Sequence, residues 1–187
     1  EAPNLGQEVF RRLFDKGFDG CWMGCTVACS HGVKDFVPLT GPFKGEKVFV
    51  DGPEYETVAG CGSNLGIFDP HTVIELNFYC DAYGLDTISV GTGIAFAMEC
   101  FEENILTEKD NDGRRVLFGD TEGMLDLVDK INTRQGLGEI LALGVKRAAQ
   151  KIGNGADQFA FTIKGQEIPM HDPRGKTGVG MSYALSP

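Results

Sequence analysis

The 187-residue sequence carries 42% hydrophobic and 24% charged residues, enough apolar material for one good core or two small ones under an ordinary globular surface. Its formal net charge of −10 sets the surface against polyanions, which excludes nucleic acid as the expected partner but leaves room for a soluble partner with a basic patch. No apolar run approaches the roughly 18 residues a spanning helix needs, so no membrane span is expected.

In chain order, Glu1-Ala2-Pro3-Asn4 has neither a methionine nor a basic-then-apolar leader, which predicts no signal peptide and a fragment, a processed product or an excised domain. Pro3 to Asp15 reads as an amphipathic helix, with Leu5, Val9, Phe10, Leu13 and Phe14 at helical spacing. A glycine-rich cysteine loop follows, and Lys47–Val50 reads as a short strand paired with Phe36-Val37. Glu54 to Ser63 reads as a short helix. The next helix is clearly punctuated: Asp69 suits the N-cap, Pro70 the first position and Gly84 a left-handed C-cap. Another helix begins near Asp86 to Ser89 and runs to about Phe101, apolar nearly all round and therefore buried.

Lys109 to Gly113 is a polar turn that lacks the ligand spacing and closing glutamate of a calcium loop. Helices are predicted over 121–133 and 138–152, the latter with Lys146, Arg147 and Lys151 toward its C-terminal end. Residues 160–163 and 166–168 flank Lys164-Gly165 as a β-hairpin, and 169–180 reads as a Gly- and Pro-rich loop. The expected fold is mainly α and multihelical with small β-hairpins, as a single unit over 1–187 or divided near residue 105.

The chemistry concentrates in a few strings. Cys21, Cys25 and Cys29 stand in one loop among Gly20, Gly24 and Gly32, with small Ala28 and Ser30 between them. Such a loop can aim three sulfurs at one centre. An iron–sulfur cluster, a zinc site and three buried structural cysteines are all compatible with it. The other cysteines, Cys61, Cys80 and Cys100, lie in apolar helical surroundings, a distribution that suits a reducing cytoplasm better than a disulfide framework. They are the in-chain choices for a fourth cluster ligand; the preferred reading places that ligand beyond Pro187.

Asp81-Ala82-Tyr83-Gly84-Leu85-Asp86 sets two carboxylates around a glycine turn, either a plain helix end or acceptors for a planar ligand bearing N–H groups. Glu75, flanked by apolar residues, is a candidate for proton transfer or simply an exposed helix face, and Glu56 is a weaker version of the same. Arg174 could clamp a phosphate, His31 could reach a cluster sulfur, and His171 reads as a solvated loop residue.

In order, the cysteine loop, Tyr55-Glu56-Thr57, Gly62-Ser63-Asn64-Leu65-Gly66, Asp81 to Ser89 and Asp172-Pro173-Arg174-Gly175 resemble the aldehyde:ferredoxin oxidoreductase family of tungsten or molybdenum bis-pterin enzymes. The Cys21-to-Ser30 string also resembles the catalytic subunit of class II benzoyl-CoA reductases, a branch of that family. The spacing here is C-x3-C-x3-C rather than the family's C-x2-C-x3-C, and Gly24 can absorb the extra residue.

The resemblance implies that Cys21, Cys25 and Cys29 hold a 4Fe–4S cluster beside the pterin. It implies that Asp81, within the Asp81/Gly84/Leu85/Asp86 pattern, binds a pterin, and that Glu75 matches the glutamate next to the metal and Glu56 a second active-site glutamate. The family's active-site histidine would follow Pro187, and its β-rich N-terminal domain would precede Glu1.

The implied reaction is oxidation of an aldehyde to a carboxylic acid, with a ferredoxin-like acceptor or electron-transfer subunits as partner. The alternatives are reduction of an aryl-CoA ring and, in a different class, a non-catalytic iron–sulfur module; a zinc-stabilised interaction domain is a third.

Overall fold

Asp69, Pro70 and Gly84 delimit the helix around which the chain is built. The computed structural model describes residues 2–13, 18–21 and 23–186. In it, the Asp69 carboxylate accepts from Thr72 N–H, and Gly84 ends the helix in the left-handed conformation. This helix, α3 (Pro70–Tyr83), is buried on nearly every side. Ile74 joins a small core with Phe10, Val33, Phe36 and Val50, while Leu76, Tyr79 and Cys80 join the main core with Leu65, Ile94, Met98, Phe101 and Leu127. A helix buried nearly all round thus welds a small β layer to a helical bundle.

The β layer is three-stranded and antiparallel: β1 (Phe18–Asp19), β2 (Ser30–Phe36) and β3 (Val48–Asp51), in that spatial order. The expected pairing of the Phe36 region with 47–50 is present, but β2 begins at Ser30, directly after Cys29. The N-terminal helix is a 3-10 turn (Ala2–Leu5) followed by α1 (Gln7–Leu13); Phe14 and Asp15 of the expected helix lie outside the described residues.

The bundle comprises α2 (Tyr55–Cys61), α3, α4 (Thr87–Glu102), α5 (Thr121–Thr133), α6 (Leu137–Leu141) and α7 (Val145–Ile152). α4 is N-capped by Asp86, whose carboxylate accepts from Ser89 N–H. The Lys109–Gly113 turn is largely a 3-10 turn (Glu108–Asn111) with a Thr107/Asp110 capping box. Lys130 ties it to α5 through Asn111 Oδ1 and Asp112.

Two expectations are corrected. The single helix expected over 138–152 is two, because Gly144 takes φ 82° and ψ 155° and breaks the α-helical path. There the Glu167 carboxylate accepts from the Val145 N–H that opens α7 and from the Ser89 hydroxyl, joining hairpin, α7 and α4. The loop expected to continue to Gly180 ends at Lys176, and α8 (Thr177–Leu185) follows, its run of small and apolar residues having no proline to stop it. The β4 (Thr162–Ile163) and β5 (Gln166–Glu167) hairpin turns at Lys164-Gly165 as expected.

α2 and α4 cross at closest approach. A Cβ on Gly91 would lie 2.7 Å from the Gly60 carbonyl oxygen, so a side chain there must push backbone from backbone. Gly91→Ala should therefore destabilise the protein by about 1–3 kcal/mol, read as a lowered midpoint in urea unfolding.

Candidate cofactor and active site

The first turn of α2 leaves its amides without a side-chain cap, since Glu54 at the N-cap makes no cap hydrogen bond. One of those amides, Tyr55 N–H, donates to Cys29 Sγ at 3.5 Å. Cys25 lies where the backbone N–H groups of Ala28 and Val27 hold its thiol below the usual range, favouring the thiolate a metal centre binds. Cys21 is exposed and its thiol is pushed up, by partial loss of water and then by the Glu54 carboxylate. Among the described residues no three His, Cys, Asp or Glu side chains converge closely enough to hold a single metal ion. Cys61, Cys80 and Cys100 are fully buried core thiols. Burial pushes Cys61 up to about 12, Cys80 higher still and Cys100 to about 11, so these three are inert and protonated. His31 is buried in β2 and shares a small cavity with Cys29.

Behind the cysteine loop opens a polar cavity of about 330 Å³ lined by Cys21, Asp51, Glu54, Glu56, Asn77, Asp81, Asp86 and Thr87 among others. The β layer supplies Asp51, α2 supplies Glu56, the last turn of α3 supplies Asp81 and the N-cap of α4 supplies Asp86. Asn77 is buried within α3 and donates through Nδ2 to the Asp51 carbonyl (2.7 Å) and to Asp81 Oδ2 (2.8 Å), fixing that carboxylate. Desolvation, then the Asp51 charge, raises Asp81 to about 6. Desolvation and the Asp51 and Glu56 charges raise Glu54 as well. Gly84 and Leu85 shape the turn between the two aspartates, with Leu85 N–H bonded to the Cys80 carbonyl.

Glu56 is engaged from the far end of the chain. Its carboxylate accepts from Met170 N–H at 2.6 Å and is hydrogen-bonded to His171 Nδ1. The Tyr55 hydroxyl donates to the Met170 carbonyl at 3.0 Å, and its ring packs edge-on to His171 at 4.8 Å. The segment 168–172 is thereby strapped across the start of α2. His171, read from sequence as a solvated loop residue, is the partner of a cavity carboxylate. No local signal announces a pair 115 residues apart.

The structure does not bring Glu75 to this cavity. Six residues from Asp81, it lies about 240° round the helix. Its carboxylate is 3% exposed and accepts from Leu39 N–H, Thr40 N–H and the Thr40 hydroxyl, with His71 at 3.7 Å. Glu75 thus holds the 38–46 loop, helped by the Tyr79 hydroxyl donating to the Thr40 carbonyl. Arg174 is also elsewhere. It pairs with Asp172 through Nε and Nη2 and borders a second cavity of about 700 Å³ that contains Phe96, Phe118, Phe159 and Phe161.

Comparison with known proteins places this architecture. The family model of aldehyde ferredoxin oxidoreductase, domains 2 and 3, matches residues 1–187. The chain belongs to the aldehyde ferredoxin oxidoreductase family. It is 43% identical over 163 residues to the tungsten-containing aldehyde ferredoxin oxidoreductase of Pyrococcus furiosus, covering 87% of this chain and 25% of that protein. It is 40% identical over 165 residues to the counterpart in Pyrococcus horikoshii, with the same shares.

An aliphatic sulfonate oxidoreductase, WOR-like subunit, of P. furiosus is 36% identical over 169 residues, covering 87% of this chain and 26% of that one. Among solved structures, the active-site complex BamBC of benzoyl coenzyme A reductase with 1,5-dienoyl-CoA superposes with a TM-score of 0.67 at 28% identity, over 86% of this chain and 22% of that one. The chain therefore spans about a quarter of the length of its curated relatives. The expected mainly α fold of the family's helical domains is the fold observed.

The raised Asp81 carboxyl has a measurable consequence. Its folded value of about 6 exceeds its ordinary 3.8, so stability associated with it is complete below 3.8 and is lost as pH rises through 6. Asp81→Asn, which keeps an acceptor for Asn77, should be more stable than the parent at pH 7.5. The difference should vanish near pH 4, as read from urea midpoints at the two pH values.

Proposed function

We propose that this chain is the cluster- and pterin-binding part of a tungsten (or molybdenum) oxidoreductase that converts aldehydes to carboxylic acids and passes electrons to a ferredoxin-like acceptor. One observation carries the reading: Cys21 of the cysteine loop, Asp81 and Asp86 of the α3–α4 turn, and Glu56 all face one polar cavity. A cluster ligand, a set of acceptors for a heterocycle and an acid–base group are the three parts such an enzyme needs together.

The residues suit the groups the family carries. Three soft cysteine ligands are present, two of them beside backbone N–H donors of the kind that set a cluster's potential. Cys21, Cys25 and Cys29 would hold the 4Fe–4S cluster; the protonated core thiols Cys61, Cys80 and Cys100 leave the fourth ligand to come from outside this chain. Asp81, fixed by Asn77, and Asp86 would accept from pterin N–H groups, with Gly84 and Leu85 shaping the turn. When bound, the tungsten–pterin group supplies the two-electron chemistry and the cluster the one-electron exit.

The chain's own contribution is a positioned carboxylate in a restricted space. Glu56, which lines the cavity, would take up a proton as water adds to the substrate carbonyl. Glu75, whose acceptor oxygens are already filled by the 38–46 loop, is assigned to holding that loop. Arg174, engaged by Asp172, is given no part in binding the pterin. A small aldehyde is favoured over an aryl-CoA ring because sequence identity to the aldehyde enzymes is 39–43%, against 28% to the benzoyl-CoA reductase complex. A bare electron-transfer module would have no use for Glu56 in such a cavity.

In the full-length enzyme, prepared anaerobically, Glu56→Gln should retain iron, tungsten and the cluster EPR signal while kcat falls by about 10²–10⁴. Glu75→Gln should lower stability by about 1–3 kcal/mol and leave turnover per folded molecule near that of the parent. The reverse pattern would return the acid–base role to Glu75. Iron without tungsten or molybdenum in a metal-replete preparation would favour the electron-transfer module.

A further inference from the structure

We propose that His171 is a proton-relay residue that carries protons from Glu56 to solvent during turnover. The proposal rests on the reading of Glu56 as the acid–base group of an aldehyde-oxidising site. Oxidation of an aldehyde by water yields a carboxylic acid, two electrons and two protons. The redox groups, when bound, would take up the electrons and hand them to the ferredoxin-like acceptor. The protons are released into a cavity already crowded with Asp51, Glu54, Asp81 and Asp86 and need their own exit.

The geometry offers one. The Glu56 side chain is 17% exposed and lines the cavity; the His171 side chain, in hydrogen-bond contact with it through Nδ1, is 38% exposed. The pair thus spans the step from a semi-enclosed carboxylate to an imidazole that reaches water. The ring is also fixed in place, since Tyr55 packs edge-on to it at 4.8 Å and ties the Met170 carbonyl to α2.

A purely structural clamp would not need the imidazole. Met170 N–H already bonds one Glu56 oxygen and the Tyr55 hydroxyl already bonds the Met170 carbonyl, so the strap is fastened at two points without it. The other charged or titratable groups nearby are otherwise placed. Asp172 is paired with Arg174; Glu54 opens α2; and Tyr183 of α8 has its phenol raised by partial loss of water and then by the Glu56 charge. Among the described residues, the hydrogen bonds to the Glu56 carboxylate come from Met170 and His171.

The step balances with O–H and N–H bonds alone. A proton on Glu56 passes to Nδ1 of the neutral imidazole, restoring the carboxylate. The imidazolium then releases its Nε2 proton to water, and tautomer exchange through water resets the ring.

The test uses the full-length holoenzyme. His171→Gln keeps an amide that can donate to Glu56 but cannot relay a proton; His171→Ala leaves space for added imidazole. A relay predicts that both variants retain iron, tungsten and the cluster EPR signal, keep KM, and lose kcat by roughly 10², the low end of acid–base contributions. Imidazole restores part of the loss in His171→Ala. Hydrogen exchange of the 166–176 peptide stays at the parental level in His171→Gln. Unchanged kcat in both variants overturns the proposal, as does a loss accompanied by faster exchange of that peptide and no imidazole rescue, which marks a clamp. If Glu56→Gln is inactive while the His171 variants are normal, only the relay falls; if Glu56→Gln is fully active, the reading beneath it falls too.

Discussion

The first turn of α2 is the constraint on which the site depends. Within three consecutive residues it addresses three separate parts of the chain. Tyr55 gives its amide to Cys29 and its hydroxyl to Met170; Glu56 holds Met170 and His171; the Thr57 hydroxyl meets that of Thr87 at the start of α4. A seven-residue helix is too short to be stable alone and takes its position from its neighbours. Here the neighbour is α4, and the lack of side chains at Gly60 and Gly91 lets the two backbones touch. Any widening of that crossing would move cysteine loop, cavity carboxylate and strap together.

The electrostatics of the cavity follow from the same convergence. Asp51, Glu54, Glu56, Asp81 and Asp86 come from the β layer, α2 and the α3–α4 turn, and packing those elements forces their carboxylates together. Glu54 and Asp81 are raised first by lost hydration and then by that crowding. A ligand that brings N–H donors rather than further negative charge relieves it, because each donated bond favours the ionised carboxylate. If such a heterocycle binds there, its binding would be linked to proton release from Asp81 and would tighten as pH rises through about 6.

Much of the helical frame was legible because local chemistry specified it. Asp69 with Pro70, Asp86, and Gly84 act within one turn of themselves, and each does in the structure what its residue type favours. The Lys164-Gly165 hairpin is equally local. Failures came where a distant contact or one backbone angle decided the outcome. Gly144 splits a helix that periodicity ran straight through, and α8 forms in a stretch whose upstream Pro and Gly content suggested a loop. β2 extends back to Ser30 because β1 pairs with it, a pairing absent from any short window. Asp81, Asp86 and the cysteine loop were legible as strings, but their convergence on one cavity required the fold.

Glu56 and Glu75 show how far such strings can be trusted. Both are glutamates on helices with apolar neighbours, and in sequence Glu75 has the more hydrophobic flank. Their environments differ in what fills the carboxylate. Glu75 is hydrogen-bonded by two amides and a hydroxyl from a single loop, donors that do not titrate at ordinary pH, while the His71 ring nitrogen stands off at 3.7 Å, so it behaves as a fixed anchor. Glu56 is met by one amide and one imidazole, and it borders open volume. A carboxylate whose donors are all backbone and hydroxyl groups is spent on structure. One that is hydrogen-bonded to a half-exposed histidine keeps a route for exchange, and that distinction is the ground for the proposal that the chemistry falls to Glu56.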